Sequence, residues 1–140
     1  MIAIKRIYET AHSDDGYRVL VDRLWPRGLT RDAAAIDEWL KDVAPSTELR
    51  RWFHSDPGDP GRWSEFVVRY RLELGLPNML PHLDRFRMIS VARPLTLLTA
   101  TKDEQQNHAL VLASVLTAKA RFRTAKLKNT EAPGKKPRRS

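Results

Sequence analysis

Residues 18–28 read Arg-Val-Leu-Val-Asp-Arg-Leu-Trp-Pro-Arg-Gly. The run Val19-Leu20-Val21 lacks polar alternation, which favours a strand buried on both faces and therefore a parallel sheet. A carboxylate, two guanidinium groups and an indole follow this strand directly, where a purely structural strand would be followed by a turn of small, uncharged residues. Because buried strands of open α/β sheets deliver functional groups at their carboxyl ends, we predict a site at this junction.

The segments on either side of this stretch predict the rest of the fold. Residues 2–8, 18–24 and 95–101 read as strands, and helical patterns fill most of the chain between the second and the third. We expect helices from an N-cap at Thr30 to about residue 43, from an N-cap at Ser46, over 62–74, over 80–92, and after an N-cap at Thr101 or Asp103. The sequence thus predicts an α/β fold, in which helices cover a small parallel-type sheet and form an insertion between the second and last strands.

The charge of the chain is concentrated at its C-terminal end. The 140 residues carry a formal net charge of +8. Residues 119–140 hold nine Lys or Arg and one Glu, whereas residues 1–118 hold sixteen groups of each sign. We therefore predict a single α/β domain over residues 1–118. The segment 119–140 is predicted to be a basic, largely disordered tail, because it has too little apolar surface to offset its ordering entropy.

Composition excludes several functional classes. The chain has no Cys, which rules out disulfides, thiolate catalysis and zinc–thiolate sites. It has neither a secretory h-region nor an apolar run of about 20 residues, so we expect a cytoplasmic protein without a membrane partner. No two His lie three or four residues apart, so we expect no metal at His12, His54, Asp56 and His108. No phosphate loop or Gly-x-Gly-x-x-Gly motif is present, and no cofactor is predicted.

The first candidate site is the junction after the second strand. Arg23 and Arg27 could clamp a phosphate or carboxylate, Trp25 could stack on a ring, and Asp22 could orient an Arg or act as a base. Gly28 closes the turn. Structural interpretations carry equal weight: Asp22 could pair with either Arg, and Trp25 could plug the end of the sheet.

The second candidate site follows the last strand, in the segment Thr99-Ala-Thr-Lys-Asp-Glu-Gln-Gln-Asn-His108. Free N–H groups at a helix start bind anions, and Lys102 adds a positive charge. Asp103 and Asn107 have i, i+4 spacing, and His108 is the best proton-transfer candidate in the chain. The alternative is a capping Asp and a structurally satisfied His. If the two strands are adjacent, both junctions lie at one edge of the sheet.

These segments carry a family resemblance. The matching features are the string at 19–28, Trp39-Leu-Lys with Ala44-Pro-Ser46, Leu49-Arg-x-Trp-Phe53, Trp63-x-x-Phe with Tyr70, and Lys102-Asp103 with Asn107-His-Ala109. Over residues 1–118 the chain resembles the YeaO-like branch of the domain-of-unknown-function family numbered 488. The resemblance implies a small bacterial-type α/β protein without an established reaction. The wider family has a Cys-His-Arg triplet where this chain reads Asn107-His108-Ala109, which argues against thiol- or Arg-dependent chemistry there.

Three functions remain open from the sequence, and it decides neither catalysis nor oligomeric state. The preferred one is a site for an anionic small molecule, phosphate-like or nucleotide-like, at the strand ends. Its residues are Arg23, Arg27 and Lys102 for the anion, supported by Trp25, Gly28 and Asn107, and His108 with Asp22 or Asp103 for proton transfer. The second is weak nucleic-acid contact through residues 119–140. The third is a non-catalytic protein-interaction domain with an exposed apolar patch around Trp39, Trp52 or Trp63.

Overall fold

The sheet of this protein has four strands. The computed structural model describes residues 1–118, and the predicted tail lies outside them. The strands are β1 (Ile2–Arg6), β2 (Tyr17–Leu20), β3 (Glu38–Trp39) and β4 (Leu95–Thr99). Their spatial order is β1-β4-β2-β3, and every neighbouring pair is parallel. The small parallel α/β sheet is therefore confirmed, and all four carboxyl ends lie at one edge.

Helices occupy the predicted insertion and follow the last strand. They are α1 (Arg31–Ala34), α2 (Thr47–His54), α3 (Arg62–Leu74), α4 (Leu80–Ala92) and α5, which begins at residue 108 and continues to the last described residue, 118. The predicted bounds of α3 and α4 are confirmed. Ser46 is the N-cap of α2, as predicted, since its hydroxyl accepts a 3.1 Å hydrogen bond from the N–H of Leu49.

The N-cap of the first predicted helix is Thr30, as expected, since its hydroxyl accepts a 3.1 Å hydrogen bond from the N–H of Ala33, but the predicted continuation of this helix to residue 43 is wrong. α1 ends at Ala34, the next residue adopts a left-handed conformation with φ of 51°, and the chain then forms β3. Glu38 and Trp39 pair with the end of β2, and the N–H of Leu40 donates to the carbonyl of Leu20. Pairing with the free edge of a buried strand satisfies the backbone and outweighs the helical spacing of the apolar residues.

The predicted N-cap of α5 is also wrong. The cap is Asn107, whose Oδ1 accepts a 3.0 Å hydrogen bond from the N–H of Leu110. Asp103 instead accepts from the N–H groups of Gln105 and Gln106, which stabilises the turn before the helix. Asn and Asp are both common N-cap residues, so local sequence does not decide whether α5 starts after Asp103 or after Asn107. The later start places His108 in the first turn, next to the end of β2.

Each face of the sheet has its own apolar cluster. The larger one lies under the helices and includes Val19, Tyr70, Phe86 and Leu97. The smaller one consists of Ile7, Leu20, Ala34 and Leu98, and the side chains of Trp25 and Trp39 pack against it. Within residues 1–118 no helix is both long and apolar enough to cross a membrane.

A buried ion pair fastens the amino edge of the sheet. The Arg18 guanidinium lies 2.6 Å from the carboxylate of Asp15 and also donates to the carbonyls of Ala34 and Ala35. Lys5 lies 3.0 Å from the same carboxylate. Burial by itself would raise the pKa of Asp15, but the N–H of His12 and the two cations outweigh it and lower the pKa to about 2.

Candidate functional site at the carboxyl edge of the sheet

Asp22 and His108, the predicted proton-transfer pair, are in contact. Asp22 follows the end of β2, and His108 opens α5; Nε2 of the imidazole lies 3.0 Å from Oδ1 of Asp22 and 3.1 Å from the carbonyl oxygen of Val21. Because a carbonyl oxygen can only accept, the hydrogen bond to Val21 requires the proton on Nε2. This proton points at Val21 more directly than at Asp22 Oδ1, which has no well-aligned hydrogen bond. Oδ1 of Asp22 lies beside the same nitrogen, so the carboxylate and the Val21 carbonyl together hold the ring.

The carboxylate of Asp22 joins three segments of the chain. Its Oδ2 accepts a 2.8 Å hydrogen bond from the N–H of Ala100, just past the end of β4. Burial would raise the pKa of Asp22, but the neighbouring His108 and the N–H of Ala100 outweigh burial and lower the pKa. Asp22 is thus ionised at neutral pH and links the end of β2 to β4 and α5.

The ring of His108 has a fixed position. Its edge packs against the ring of Tyr70 on α3, with the centroids 6.2 Å apart, and its side chain is only 14% exposed. Tyr70 donates a 2.6 Å hydrogen bond to the carbonyl of Val43, and burial raises the pKa of its hydroxyl, so Tyr70 remains a neutral donor. The second imidazole nitrogen, Nδ1, has no hydrogen-bond partner within residues 1–118. It is the atom through which His108 could contact a ligand.

Arg23 does not face a ligand. Its Nε donates to the carbonyl of Pro45 at 3.0 Å, and an Nη donates to the carbonyl of Ala44 at 3.1 Å. Both carbonyls precede α2, so the guanidinium fastens the start of this helix to the end of β2. The predicted anion clamp therefore loses one of its two arginines to a structural contact.

Trp25 and Trp39 form a pair beside Asp22. Their ring centroids are 5.2 Å apart in an edge-on arrangement. The indole N–H of Trp25 donates to the carbonyl of Leu29 at 2.6 Å, and that of Trp39 donates to the backbone carbonyl of Asp22 at 2.7 Å. Gly28 lies in the turn between them with φ of 74°. Both indoles are therefore anchored to the loop that follows β2.

Two of the predicted cations are free for a ligand. Arg27 and Lys102 are exposed, and their side chains form no hydrogen bond or ion pair within the described part of the chain. A series of contacts places both on the same edge. Tyr8 donates to the carbonyl of Arg27 at 3.1 Å, the guanidinium of Arg6 lies 5.2 Å from the Tyr8 ring, and Nε of Arg6 donates to the carbonyl of Thr101 at 3.1 Å. Arg6, which also donates to the carbonyl of Ala100 at 3.3 Å, thus links the backbones of the two loops that carry Arg27 and Lys102.

The remaining predicted residues hold the loop before α5. Asn107 caps the helix, and its amide also donates to the carbonyl of Asp103 at 2.9 Å. Asp22, rather than Asp103, is the carboxylate beside His108. Among the residues that the structure describes, no three His, Asp or Glu are grouped to hold a metal ion.

Sequence reasoning missed Arg6 and Tyr70. Arg6 is the last residue of β1, and the rule that parallel strands present functional groups at their carboxyl ends applies to it as well as to Asp22. Tyr70 fits the apolar face of α3, and no local signal distinguishes it from an ordinary core residue. Only the packing of α3 against the start of α5 brings its ring to His108.

Comparison with known proteins assigns the chain to a family. It is 46% identical over 115 residues to "Uncharacterized protein YeaO" of Escherichia coli strain K12, covering 82% of this chain and 96% of that protein. It is 42% identical over 118 residues to "Uncharacterized protein Rv3073c" of Mycobacterium tuberculosis, covering 84% and 95%. No solved structure matches. The model of the family DUF488-N3i, described as the inactive DUF488-N3 subclade, matches residues 1–134, so the chain belongs to this subclade.

Proposed function

We propose that the carboxyl edge of the sheet binds a small anionic ligand, phosphate-like or nucleotide-like, without converting it chemically. The observation that carries this proposal is that Arg27 and Lys102, two exposed cations whose side chains have no partner within residues 1–118, belong to loops joined through Tyr8 and Arg6 at this edge. Guanidinium and ammonium groups at one edge suit a phosphate or carboxylate. The word "inactive" in the family description agrees with binding rather than catalysis.

The Asp22–His108 pair has a definite part in this site. The carboxylate and the Val21 carbonyl hold Nε2, which leaves Nδ1 to accept a hydrogen bond from a ligand or from water. A protonated phosphate oxygen or a sugar hydroxyl can donate that bond. Asp22 acts as a positioning residue in this arrangement, and His108 adds selectivity to the charge supplied by Arg27 and Lys102.

Titration calorimetry with inorganic phosphate and ribose 5-phosphate tests this proposal. Each charge-assisted hydrogen bond contributes about 1.5–3 kcal/mol, so Arg27→Ala and Lys102→Ala should each weaken binding at least about tenfold. Arg51→Ala is the matched control, because Arg51 is an exposed Arg on α2. If the wild type does not bind either compound, or if Arg27→Ala binds as well as Arg51→Ala, the proposal is wrong.

A catalytic alternative follows from the same pair. His108 with Nε2 fixed and Nδ1 available could act as a general base, with Asp22 orienting it. Incubating the protein with ribose 5-phosphate and recording ³¹P spectra separates the two cases. Release of phosphate that is lost in His108→Gln would favour catalysis, whereas an unchanged ligand that still binds favours the binding role.

A second candidate function uses the basic tail. The net charge of +8 in residues 119–140, beside a body with equal numbers of acidic and basic residues, suits weak contact with nucleic acid. The third candidate, an apolar patch around Trp39, Trp52 or Trp63, receives less support. Each of these three indoles is half-buried, and the faces of Trp52 are covered by the guanidinium groups of Arg62 and Arg69.

A further inference from the structure

Trp25 and Trp39 have cationic side chains over their rings. The guanidinium of Arg31 lies 4.9 Å from the Trp25 ring and 5.7 Å from the Trp39 ring, and the ammonium of Lys41 lies 4.6 Å from the Trp39 ring. Arg31 and Lys41 are exposed and form no side-chain hydrogen bond or ion pair within residues 1–118.

The two rings themselves are rigid. Each indole N–H donates to a backbone carbonyl, at 2.6 Å for Trp25 and 2.7 Å for Trp39, and both rings pack on the smaller apolar cluster. The cations that lie over the rings belong to Arg31 and Lys41, whose side chains are long and flexible. A planar ligand can displace such side chains without disturbing the fold, and it meets aromatic surfaces whose orientation is already set.

This pair of rings adjoins the proposed anion site. Trp39 donates to the backbone of Asp22, whose side chain contacts His108. Trp25 belongs to the same loop as Arg27, two residues further on. An aromatic surface covered by displaceable cations, on the loop that also carries Arg27, matches the chemistry of a nucleotide. A nucleotide offers a flat π-system and an anion joined by a sugar.

We infer that Trp25 and Trp39 form a stacking platform for a nucleobase, so that the anionic ligand of the carboxyl edge is a nucleotide. The base displaces the side chains of Arg31 and Lys41 from the ring faces, and these cations then flank it. This inference rests on the proposed anion site and names its ligand class. A free nucleotide and the end of a single-stranded oligonucleotide offer the same chemistry, and the experiment distinguishes them.

The test compares adenosine 5′-monophosphate, ribose 5-phosphate and adenosine by titration calorimetry on the full chain. Stacking of one base on an aromatic side chain contributes about 1–3 kcal/mol, so the nucleotide should bind about 5- to 150-fold more tightly than ribose 5-phosphate. Trp39→Leu should remove this advantage while leaving ribose 5-phosphate binding unchanged. Trp63→Leu is the matched control, because Trp63 packs on Phe53 and Phe66 between α2 and α3.

A measurement on the wild type avoids dependence on a variant that fails to fold. Base protons of the bound nucleotide lying over an indole should shift upfield in proton NMR spectra. Equal affinities for nucleotide and ribose 5-phosphate, with no upfield shift, would overturn the platform and leave the anion site standing. Adenosine binding as well as its monophosphate, with ribose 5-phosphate not binding, would instead support the platform and contradict the anion site.

One further titration distinguishes a free nucleotide from the end of a single-stranded oligonucleotide as the ligand. In the full-length protein whose nine Lys and Arg of residues 119–140 are replaced by Gln, the tail adds no affinity. We expect this protein to bind the mononucleotide as tightly as a hexanucleotide of the same base, because the two rings lie edge-on and a flat base can stack on only one of them. A hexanucleotide that binds more than tenfold more tightly would overturn the assignment to a free nucleotide and indicate single-stranded nucleic acid.

Discussion

The backbone N–H of Ala100 lies 2.8 Å from Oδ2 of Asp22, and this hydrogen bond joins the carboxyl ends of two neighbouring parallel strands. On its other side the same carboxylate contacts His108. In addition to the backbone pairing of β2 with β4, this ionised side chain links the ends of both strands to the start of α5. The stability of this edge of the sheet therefore depends in part on Asp22.

Replacing Asp22 should destabilise the whole protein. Asp22→Ala leaves the N–H of Ala100 without its acceptor and removes the carboxylate beside His108, whose Nε2 keeps the carbonyl of Val21. We expect the free energy of unfolding to fall by about 1–3 kcal/mol. Asp22→Asn keeps an acceptor for Ala100 and should lose less. Urea denaturation measures both, with the exposed Glu104→Ala as control. An Asp22→Ala protein as stable as Glu104→Ala would show that the carboxylate has no structural function.

Two glycines with positive φ should respond very differently to a methyl group. A Cβ at Gly16, with φ of 66°, would lie 2.1 Å from the carbonyl oxygen of Pro94, whereas a Cβ at Gly28, with φ of 74°, would meet nothing within 4 Å. Both variants incur the left-handed strain of about 1–2 kcal/mol. Gly16→Ala should cost at least about 2 kcal/mol more than Gly28→Ala in thermal or chemical unfolding. Equal losses would contradict the close packing at Pro94.

Asp15 should make stability depend on pH in the acid range. Its pKa in the folded state is about 2, below the ordinary value of 3.8, so its stabilising contribution is complete above about pH 4 and is lost as the pH falls through 2. The difference corresponds to about 2 kcal/mol. Between pH 5 and pH 2.5 the wild type should therefore lose more stability than Asp15→Asn. Parallel curves for the two proteins would refute this interpretation of the Lys5–Asp15–Arg18 cluster.

Ser46 should stabilise the protein as the N-cap of α2 and should take no part in ligand binding or catalysis. Its hydroxyl accepts from Leu49 and donates to Glu73 at 2.6 Å, and its N–H donates to the same carboxylate at 2.8 Å. Ser46→Ala should lower the free energy of unfolding by about 1–2 kcal/mol. Ser64→Ala, at an exposed position near the start of α3, should change it little. A loss of ligand binding without a loss of stability would disagree with the capping function.

The basic tail should account for any affinity for nucleic acid. Binding of a labelled single-stranded DNA should weaken at least tenfold between 50 and 200 mM salt, at about the scale expected for several phosphate contacts. Removal of residues 119–140 should abolish this binding. Replacing the nine Lys and Arg of the tail by Gln in the full-length protein should abolish it too. If the truncated protein binds as tightly as the full chain, nucleic-acid contact through the tail is excluded.

The sequence determined those features that depend on local pattern. The apolar run at Val19–Val21 indicated a strand buried on both faces, the spacing of apolar residues predicted α3 and α4, and the polar residues after β2 indicated the edge at which Asp22 and His108 meet. Such features follow from the side-chain periods of strands and helices, which each segment carries by itself. The sequence alone also shows that the net positive charge is concentrated in residues 119–140.

Tertiary structure decided the rest. Residues 38–39 form a strand because the edge of β2 offered unpaired backbone groups, a competition that the helical pattern of the segment does not record. Arg23 donates to the carbonyls of Ala44 and Pro45 before α2, whereas Arg27 is exposed. The sequence does not distinguish these two arginines, because only the folded chain determines which carbonyls lie within reach of each side chain. The contacts of Asp22 with Ala100 and His108 exist because parallel pairing of β2 with β4 brings distant segments to one edge.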